Sequence, residues 1–368
     1  MKPNLLITTD CFLPRWDGIA RFLSELLPVL TKYFRVTVIA PNFPGKSKKF
    51  KGMKIIRLPL IPLKFGDIYF ARVNKQLIKE KVSKADLIFN QTIGPIGMTA
   101  IKAADIQKKP VISYVHNIEW ELSSKAIKHF QKPVWHLVKR MTRKHYNKCN
   151  LLIVPSNEVG RILTANRIKT QKTTIPIGVD ANKFKPAKSK TEAKKKIGIN
   201  PKNTVIGFSG RVGREKDMPT LIQAFSRLKQ ENLKLLIVGT GIKIETGKNT
   251  KQTGATNNVI KYLQALDIFA HASLIETNSL STMEAMACEL PVVVTPVGSI
   301  GNYVKNGKNG LLFPRHNSKA MHKQLQKLAN NKKLRTKLGK EARKTIIQNY
   351  DWKTTEKKII KILKEFKP

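Results

Sequence analysis

The sequence predicts an α/β protein made of two parallel-sheet domains in tandem. Three observations lead there. Short β-branched apolar runs alternate with stretches of helical period, as buried parallel strands and their crossover helices do. The alternation breaks at a lysine-rich aperiodic segment and then restarts. A chain of 368 residues also exceeds what one hydrophobic core usually organises.

In the first half, LLIT (5–8), VTVIA (36–40), KIIRL (54–58), DLIFN (86–90), PVISYV (110–115) and LLIVP (151–155) read as strands. ARFLSELLPVLTKYF and ARVNKQLIKEKVSK read as helices between them. The break is FKPAKSKTEAKKKIGINPKN. The second half opens with TVIGFSG (204–210) and continues with LKLLIVG (233–239), LDIFAHAS (266–273) and PVVVTP (291–296). MPTLIQAFSRLKQ and SLSTMEAMACEL supply its helices, and DWKTTEKKIIKILKEF is an amphipathic helix expected to return to the first domain. The expected domains are 1–180 and 181–345, with 346–368 as the returning helix. Two such Rossmann-like halves facing each other across a cleft place their ligand-binding residues just beyond the strand ends.

Composition narrows the function classes. With 69 Lys+Arg against 24 Asp+Glu, the formal net charge is +45, a field that attracts polyanions or an anionic membrane surface. Cys11, Cys149 and Cys288 lie far apart with no CxxC, and no HExxH occurs, which excludes a disulfide framework and the common zinc motifs and fits a reducing cytoplasm. The apolar run in MKPNLLITTD is too short for a signal peptide, and no run nears the roughly 18 residues that span a bilayer. A basic stretch, 123–150, holds eight Lys/Arg and no acidic residue, punctuated by Phe130, Trp135 and Tyr146; segment 45–54 adds a second basic cluster. Both are expected to face an anionic membrane. The expected location is peripheral, at the cytoplasmic face of the cell membrane. A nucleic-acid partner suits the charge equally, but no reader motif is present, so no specific nucleic acid is expected.

The chemistry gathers in two stretches. In GFSGRVGREKDMPTL a strand ends near Gly210, and Arg211 and Lys216 lie five apart on the way into a helix, a pattern suited to a diphosphate. In LIETNSLSTMEAM, Glu276 and Glu284 flank Thr277-Asn278-Ser279 and a helix beginning near Leu280. Ser281 and Glu284 also have the spacing of a capping box, with Glu276 solvated. Carboxylates cannot bind phosphate, so hydroxyls of a sugar or ribose are their natural partners beside the two cations.

SLIETNSLSTMEAMACELPVVVTPVGSIGNYVKNGKNGLLF resembles the E-x7-E signature of retaining glycosyltransferase family 4, whose fold is GT-B. FSGRVGREKD resembles that family's phosphate motif, LIVPSNEVGRIL…TTIPIGVDANKFKP its segment ahead of the interdomain linker, TTDCFLPRWDGIARFLSELLPVL its glycine loop, and ISYVHNIEWEL its histidine loop. The resemblance covers nearly the whole chain with the motifs in order, and is nearest to the glycolipid-forming members such as diacylglycerol glucosyltransferases. It implies a nucleotide-diphosphate-sugar donor and a lipid or lipid-linked acceptor. A soluble or polysaccharide acceptor is the alternative within the enzyme class, and an inactive basic scaffold the alternative outside it. It further implies that Glu276 contacts the donor sugar, Glu284 the ribose, and Arg211 and Lys216 the diphosphate. Backbone at Gly210, Asn278, Ser279 and Leu280 would complete the phosphate site, Gly18 would approach it from the first domain, and His116 would sit over the sugar. A partnered core imidazole is the alternative for His116. No metal or cofactor is implied, since Arg211 and Lys216 would take the cation's place and none of the nine aspartates forms D-x-D. The sequence departs from the family in three places: Thr277-Asn278-Ser279 and Glu289 stand where glycines are usual, and 241–259 is short where the nucleobase would rest.

Overall fold

The computed structural model describes residues 1–15, 17–46, 50–65, 68–125, 129–245, 247–256 and 258–366. Two compact units emerge. Unit 1 comprises Met1–Pro176 and the chain from Glu356 onward, and unit 2 comprises Ile177–Thr355.

Unit 1 runs β1 (Asn4–Thr8), α1 (Gly18–Leu30), β2 (Arg35–Pro41), β3 (Met53–Leu58), β4 (Leu60–Phe65), β5 (Ile68–Ala71), α2 (Lys75–Ser83), β6 (Leu87–Asn90), α3 (Pro95–Ile106), β7 (Val111–Tyr114), α4 (Glu119–Lys125), α5 (Gln131–Tyr146), β8 (Leu151–Val154), α6 (Asn157–Ala165) and β9 (Lys172–Thr174). Its seven-stranded sheet has the order β3-β2-β1-β6-β7-β8-β9, parallel throughout. β4 and β5 form a separate antiparallel hairpin that sequence patterning does not anticipate, because Pro62 interrupts its apolar run. Helix α1 begins where the Asp17 carboxylate accepts the Ala20 N–H at 2.8 Å, a cap contributing about 1 kcal/mol. It then buries Phe22, Leu23, Leu26, Leu27 and Leu30.

Unit 2 runs α7 (Lys190–Lys195), β10 (Thr204–Ser209), a 3-10 turn (Arg214–Lys216), α8 (Met218–Ser226), β11 (Leu233–Val238), β12 (Thr250–Gln252), α9 (Val259–Ala265), β13 (Ile268–His271), α10 (Leu280–Ala287), β14 (Val292–Val294), α11 (Ile300–Tyr303), β15 (Leu311–Leu312), α12 (Ser318–Asn330) and α13 (Lys332–Asn349). Its six strands, also all parallel, take the order β12-β11-β10-β13-β14-β15. Consecutive residues on one strand enter opposite cores: Val205 and Leu236 pack in one apolar cluster, Ile206 and Leu235 in the other. Burial on both faces explains why these strands read as unbroken apolar runs. The lysine-rich break contains α7, too short to show a period. Its Lys194 is buried and pairs with Asp267 at 2.7 Å.

The last helix, α14 (Trp352–Glu365), starts in unit 2 and belongs to unit 1 from Glu356 onward. There the Lys364 ammonium lies 4.9 Å from the Tyr33 ring centre.

In each sheet the chain first adds strands to one side and then returns to add the rest to the other. The reversal falls between β1 and β6 in unit 1 and between β10 and β13 in unit 2. Loops leaving such neighbouring strands diverge and leave a crevice at their C-terminal ends, where α/β proteins bind ligands.

Candidate active site

Both chemical stretches of unit 2 leave strands flanking that reversal. β10 ends at Ser209, and Gly210 follows with φ +141°. Its carbonyl oxygen would lie 1.9 Å from a Cβ on Gly239, so the two loops approach more closely than a side chain there allows. Arg211 then pairs with Glu215, and Lys216 reaches across to the Glu276 carboxylate beyond β13. Backbone bonds join the same two loops: the Glu215 carbonyl accepts the Leu274 N–H at 2.8 Å and the Ser273 hydroxyl at 2.9 Å.

Glu276 is mostly buried, not solvated. Burial works to raise its carboxyl, but Lys216 and His271 beside it, with hydrogen bonds from Lys216 and Ser273, outweigh that and hold it below the usual carboxylate range. His271, the last residue of β13, is fully buried. Its Nε2 lies 3.3 Å from Glu276 Oε1, and its Nδ1 lies 3.2 Å from Ser279 Oγ and 3.3 Å from Thr282 Oγ1. Burial pushes its pKa down to about 4, so the ring is neutral near pH 7.

The capping-box expectation is corrected. Helix α10 starts at Leu280 with Ser279 as its N-cap, and Ser281 lies inside the first turn. Ser279 has φ +46°, the left-handed conformation that glycine adopts without strain, which accounts for a glycine being usual there. Glu289, the other non-glycine in a glycine position, likewise has φ +63° just past the helix end. The Thr282 and Met283 N–H groups donate to the Ser279 carbonyl at 3.1 and 3.2 Å, so the amides of Leu280 and Ser281 precede the intrahelical bonds. Asn278 turns inward. Its Nδ2 donates to the Ile177 carbonyl at 3.1 Å, and the Tyr303 hydroxyl donates to the Asn278 carbonyl at 2.9 Å. Gly298, at φ +55°, backs the Glu276 loop, and a Cβ there would stand 1.8 Å from the Glu276 carbonyl oxygen. Glu284 is buried one turn into α10.

Of the expected site residues, Gly210, Arg211, Lys216, Glu276, Asn278, Ser279, Leu280 and Glu284 lie in unit 2, while Gly18 and His116 lie in unit 1. Gly18 is the exposed first residue of α1. His116, two residues beyond β7, is buried with Nε2 3.0 Å from Gln91 Oε1 and its ring packed against those of Tyr114 and Phe22, at 4.6 and 4.9 Å between centroids. Burial pushes its pKa down to about 3. It has the contacts of a partnered core imidazole. Nearby, the buried Asp10 carboxylate after β1 accepts the N–H groups of Ile96 and Gly97 at 2.9 and 3.2 Å and the Thr92 hydroxyl at 2.8 Å.

A family model described as Glycosyltransferase Family 4 matches residues 16–183, and one described as Glycosyl transferases group 1 matches residues 189–345. The chain is a glycosyltransferase of family 4. It is 27% identical over 334 residues to the alpha-monoglucosyldiacylglycerol synthase of Streptococcus pneumoniae, covering 83% of this chain and 74% of that one. The enzyme of the same name from Acholeplasma laidlawii is 24% identical over 344 residues, covering 86% of each chain. The crystal structure of Anabaena HepE in complex with UDP and glucose matches with a TM-score of 0.81 at 18% identity, covering 99% of this chain and 100% of that one. At that identity the match establishes the shared GT-B fold.

The basic surface of this glycosyltransferase differs from the expectation in its aromatics. Phe130 is exposed, at 78%, but Tyr146 is buried in the unit 1 core and Trp135 packs partly against it, its Nε1 donating to Glu121 Oε1 at 2.9 Å. What α5 presents outward is Lys132, His136, Arg140 and Lys144 at four-residue intervals, with Leu137 beside them at 58% exposure. Residues 47–49 and 126–128 of the two basic segments lie outside the described residues. No described helix is long and apolar enough to cross a membrane.

Two residues of this candidate site escape sequence reasoning, Glu215 and His271. Glu215 sits in REK among unremarked charges. His271 carried a usable signal, since a polar residue at the C-terminal end of a buried strand lies where α/β proteins place their chemistry.

Proposed function

We propose that this glycosyltransferase moves a hexose from a nucleotide-diphosphate sugar to a lipid or lipid-linked acceptor at a membrane surface, with retention of anomeric configuration and with protein cations in place of a metal. The observation that carries the reading is the Lys216–Glu276 pair at the strand reversal, beside the start of α10. The arriving diphosphate draws Lys216 and Arg211 from their carboxylate partners, and the helix amides add to its binding. Glu276, released from Lys216, accepts hydrogen bonds from the sugar hydroxyls. Glu284 serves the ribose. The acceptor oxygen then bonds to the anomeric carbon as the bond to the diphosphate breaks, and its proton passes to the departing phosphate oxygen. Arg211 and Lys216 stabilise the charge that accumulates there.

The lipid acceptor is supported by the names of the two synthases and by the cationic stripe on α5 flanked by exposed Phe130 and Leu137. A soluble or polysaccharide acceptor is the second reading, favoured by the burial of Tyr146, which leaves less aromatic surface for a headgroup region. The test is transfer from UDP-, GDP- and ADP-sugars in EDTA, with and without anionic diacylglycerol liposomes, beside Glu276→Ala. Liposome-dependent transfer from one donor, lost in the variant, is the expected result. Transfer indifferent to liposomes overturns the lipid reading, and a requirement for added metal overturns the assignment of that role to Arg211 and Lys216.

A further inference from the structure

His271 answers to no part of the reaction described so far, yet it is built into its centre. The ring is fully buried, flanked by Phe208 and Phe269 at 5.5 and 6.1 Å between centroids. Packing alone would favour another apolar residue there, because burying an imidazole costs free energy unless both nitrogens find partners. One side is satisfied. Nδ1 faces Ser279 Oγ and Thr282 Oγ1, which are themselves 2.8 Å apart. The other nitrogen, Nε2, makes no hydrogen bond of good geometry among the described residues, and its near neighbour is Glu276 Oε1 at 3.3 Å. Lys216 takes that same oxygen.

Proton placement follows from these neighbours. The ionised carboxylate can only accept, so a neutral ring facing it carries its hydrogen on Nε2. Nδ1 is then an acceptor, and the Ser279 or Thr282 hydroxyl donates to it. One ring thereby touches Glu276 on one side and the first turn of α10 on the other.

We propose that His271 is a positioning residue for donor binding: its Nε2–H holds the Glu276 carboxylate in place once Lys216 has moved to the diphosphate, while its Nδ1 fixes that carboxylate relative to the start of α10. This rests on the proposed function, in which Lys216 exchanges one partner for another. Without the imidazole, Glu276 loses two contacts together when the donor binds, and it faces the sugar with its orientation unset. Displacements of about 1 Å at reacting groups cost up to about 100-fold in rate.

The test compares His271→Gln, whose amide N–H reaches the place of Nε2, with His271→Asn, which reaches only the place of Nδ1. Donor kcat and KM, nucleoside diphosphate affinity and melting temperature are measured for both, for Glu276→Ala and for the unaltered chain. The expected result is a fall of about 10–100-fold in kcat for the Asn variant with nucleoside diphosphate affinity unchanged, and a Gln variant within a few-fold of the original. Equal losses in both variants, or full kcat in the Asn variant while Glu276→Ala is inactive, would overturn the positioning role alone. An unaltered chain that neither binds nucleoside diphosphates nor turns over any donor would overturn the proposed function and this inference with it. Should both substitutions prevent folding, the ring nitrogen shifts of the unaltered protein decide by NMR. The hydrogen is expected on Nε2, and its presence on Nδ1 would overturn the proposal.

Discussion

Lys216 and Glu276, sixty residues apart in the chain, form a largely buried ion pair beyond the C-terminal ends of two neighbouring strands. Neither side chain is an isolated charge, so removing one partner changes the state of the other.

Lys216→Ala and Glu276→Ala are each expected to lower donor kcat/KM by about 100–1,000-fold. The double variant should lose clearly less than the product of the two losses, because each single change already breaks the pair. Steady-state kinetics of the three proteins checks this. A strictly multiplicative loss would mean that the residues act independently.

Gly298→Ala places a Cβ against the Glu276 carbonyl oxygen at a left-handed backbone position. The clash and the unfavourable φ together should cost about 2–4 kcal/mol of stability. Activity should fall as well, since the displaced backbone is that of Glu276. Thermal melting and donor turnover give the two readouts.

Glu119, the first residue of α4, has its carboxyl pushed up to about 7, by burial first and by the Asp10 charge second, against the Ile93 N–H that lowers it. The unfolded chain gives up this proton near pH 4.5, while the folded chain keeps it until about 7. Stability from this group is therefore present at low pH and lost as pH rises through that window. Glu119→Gln should be more stable than the original by about 1–3 kcal/mol at pH 8, with the advantage gone at pH 4. Denaturation across that range checks the sign.

Arg140→Glu combined with Lys144→Glu reverses two cations of the α5 stripe. At about 1 kcal/mol for each cation near an anionic surface, binding to phosphatidylglycerol vesicles should weaken by at least about 30-fold. Binding to zwitterionic vesicles should not change. Cosedimentation provides the measurement, and unchanged binding to anionic vesicles favours the soluble-acceptor reading.

Strands such as β10 and β13 were legible in the sequence because burial on both faces writes itself as a β-branched run. β9 and β15 were not, since two or three edge residues carry no period. Glu276, Arg211 and Lys216 could be singled out because they follow strand ends in a spaced motif. The role of His271 could not, because it lies in the meeting of one imidazole with Glu276, Ser279 and Thr282 across a fold. Ser281 and Glu284 misled as a capping box because the helix begins earlier, at a residue whose left-handed backbone leaves no local signal. Tyr146 misled for a related reason, as a helix-borne aromatic suits a core and a membrane equally until the neighbours of the helix are known.

The two sheets repeat one winding order, so α3 after β6 and α10 after β13 are counterparts. Asp10 lies against the start of α3 and accepts its Ile96 and Gly97 amides, whereas at the start of α10 the Ser279 hydroxyl turns to His271 and Thr282. Unit 1 thus closes that helix end with a buried carboxyl group from its first strand loop. Unit 2 surrounds the matching end with hydroxyls and an imidazole that lead on to Glu276. One scaffold used twice thereby ties the corresponding helix to its strand ends in two ways, by a lone carboxyl group in one half and by a relay of side chains in the other.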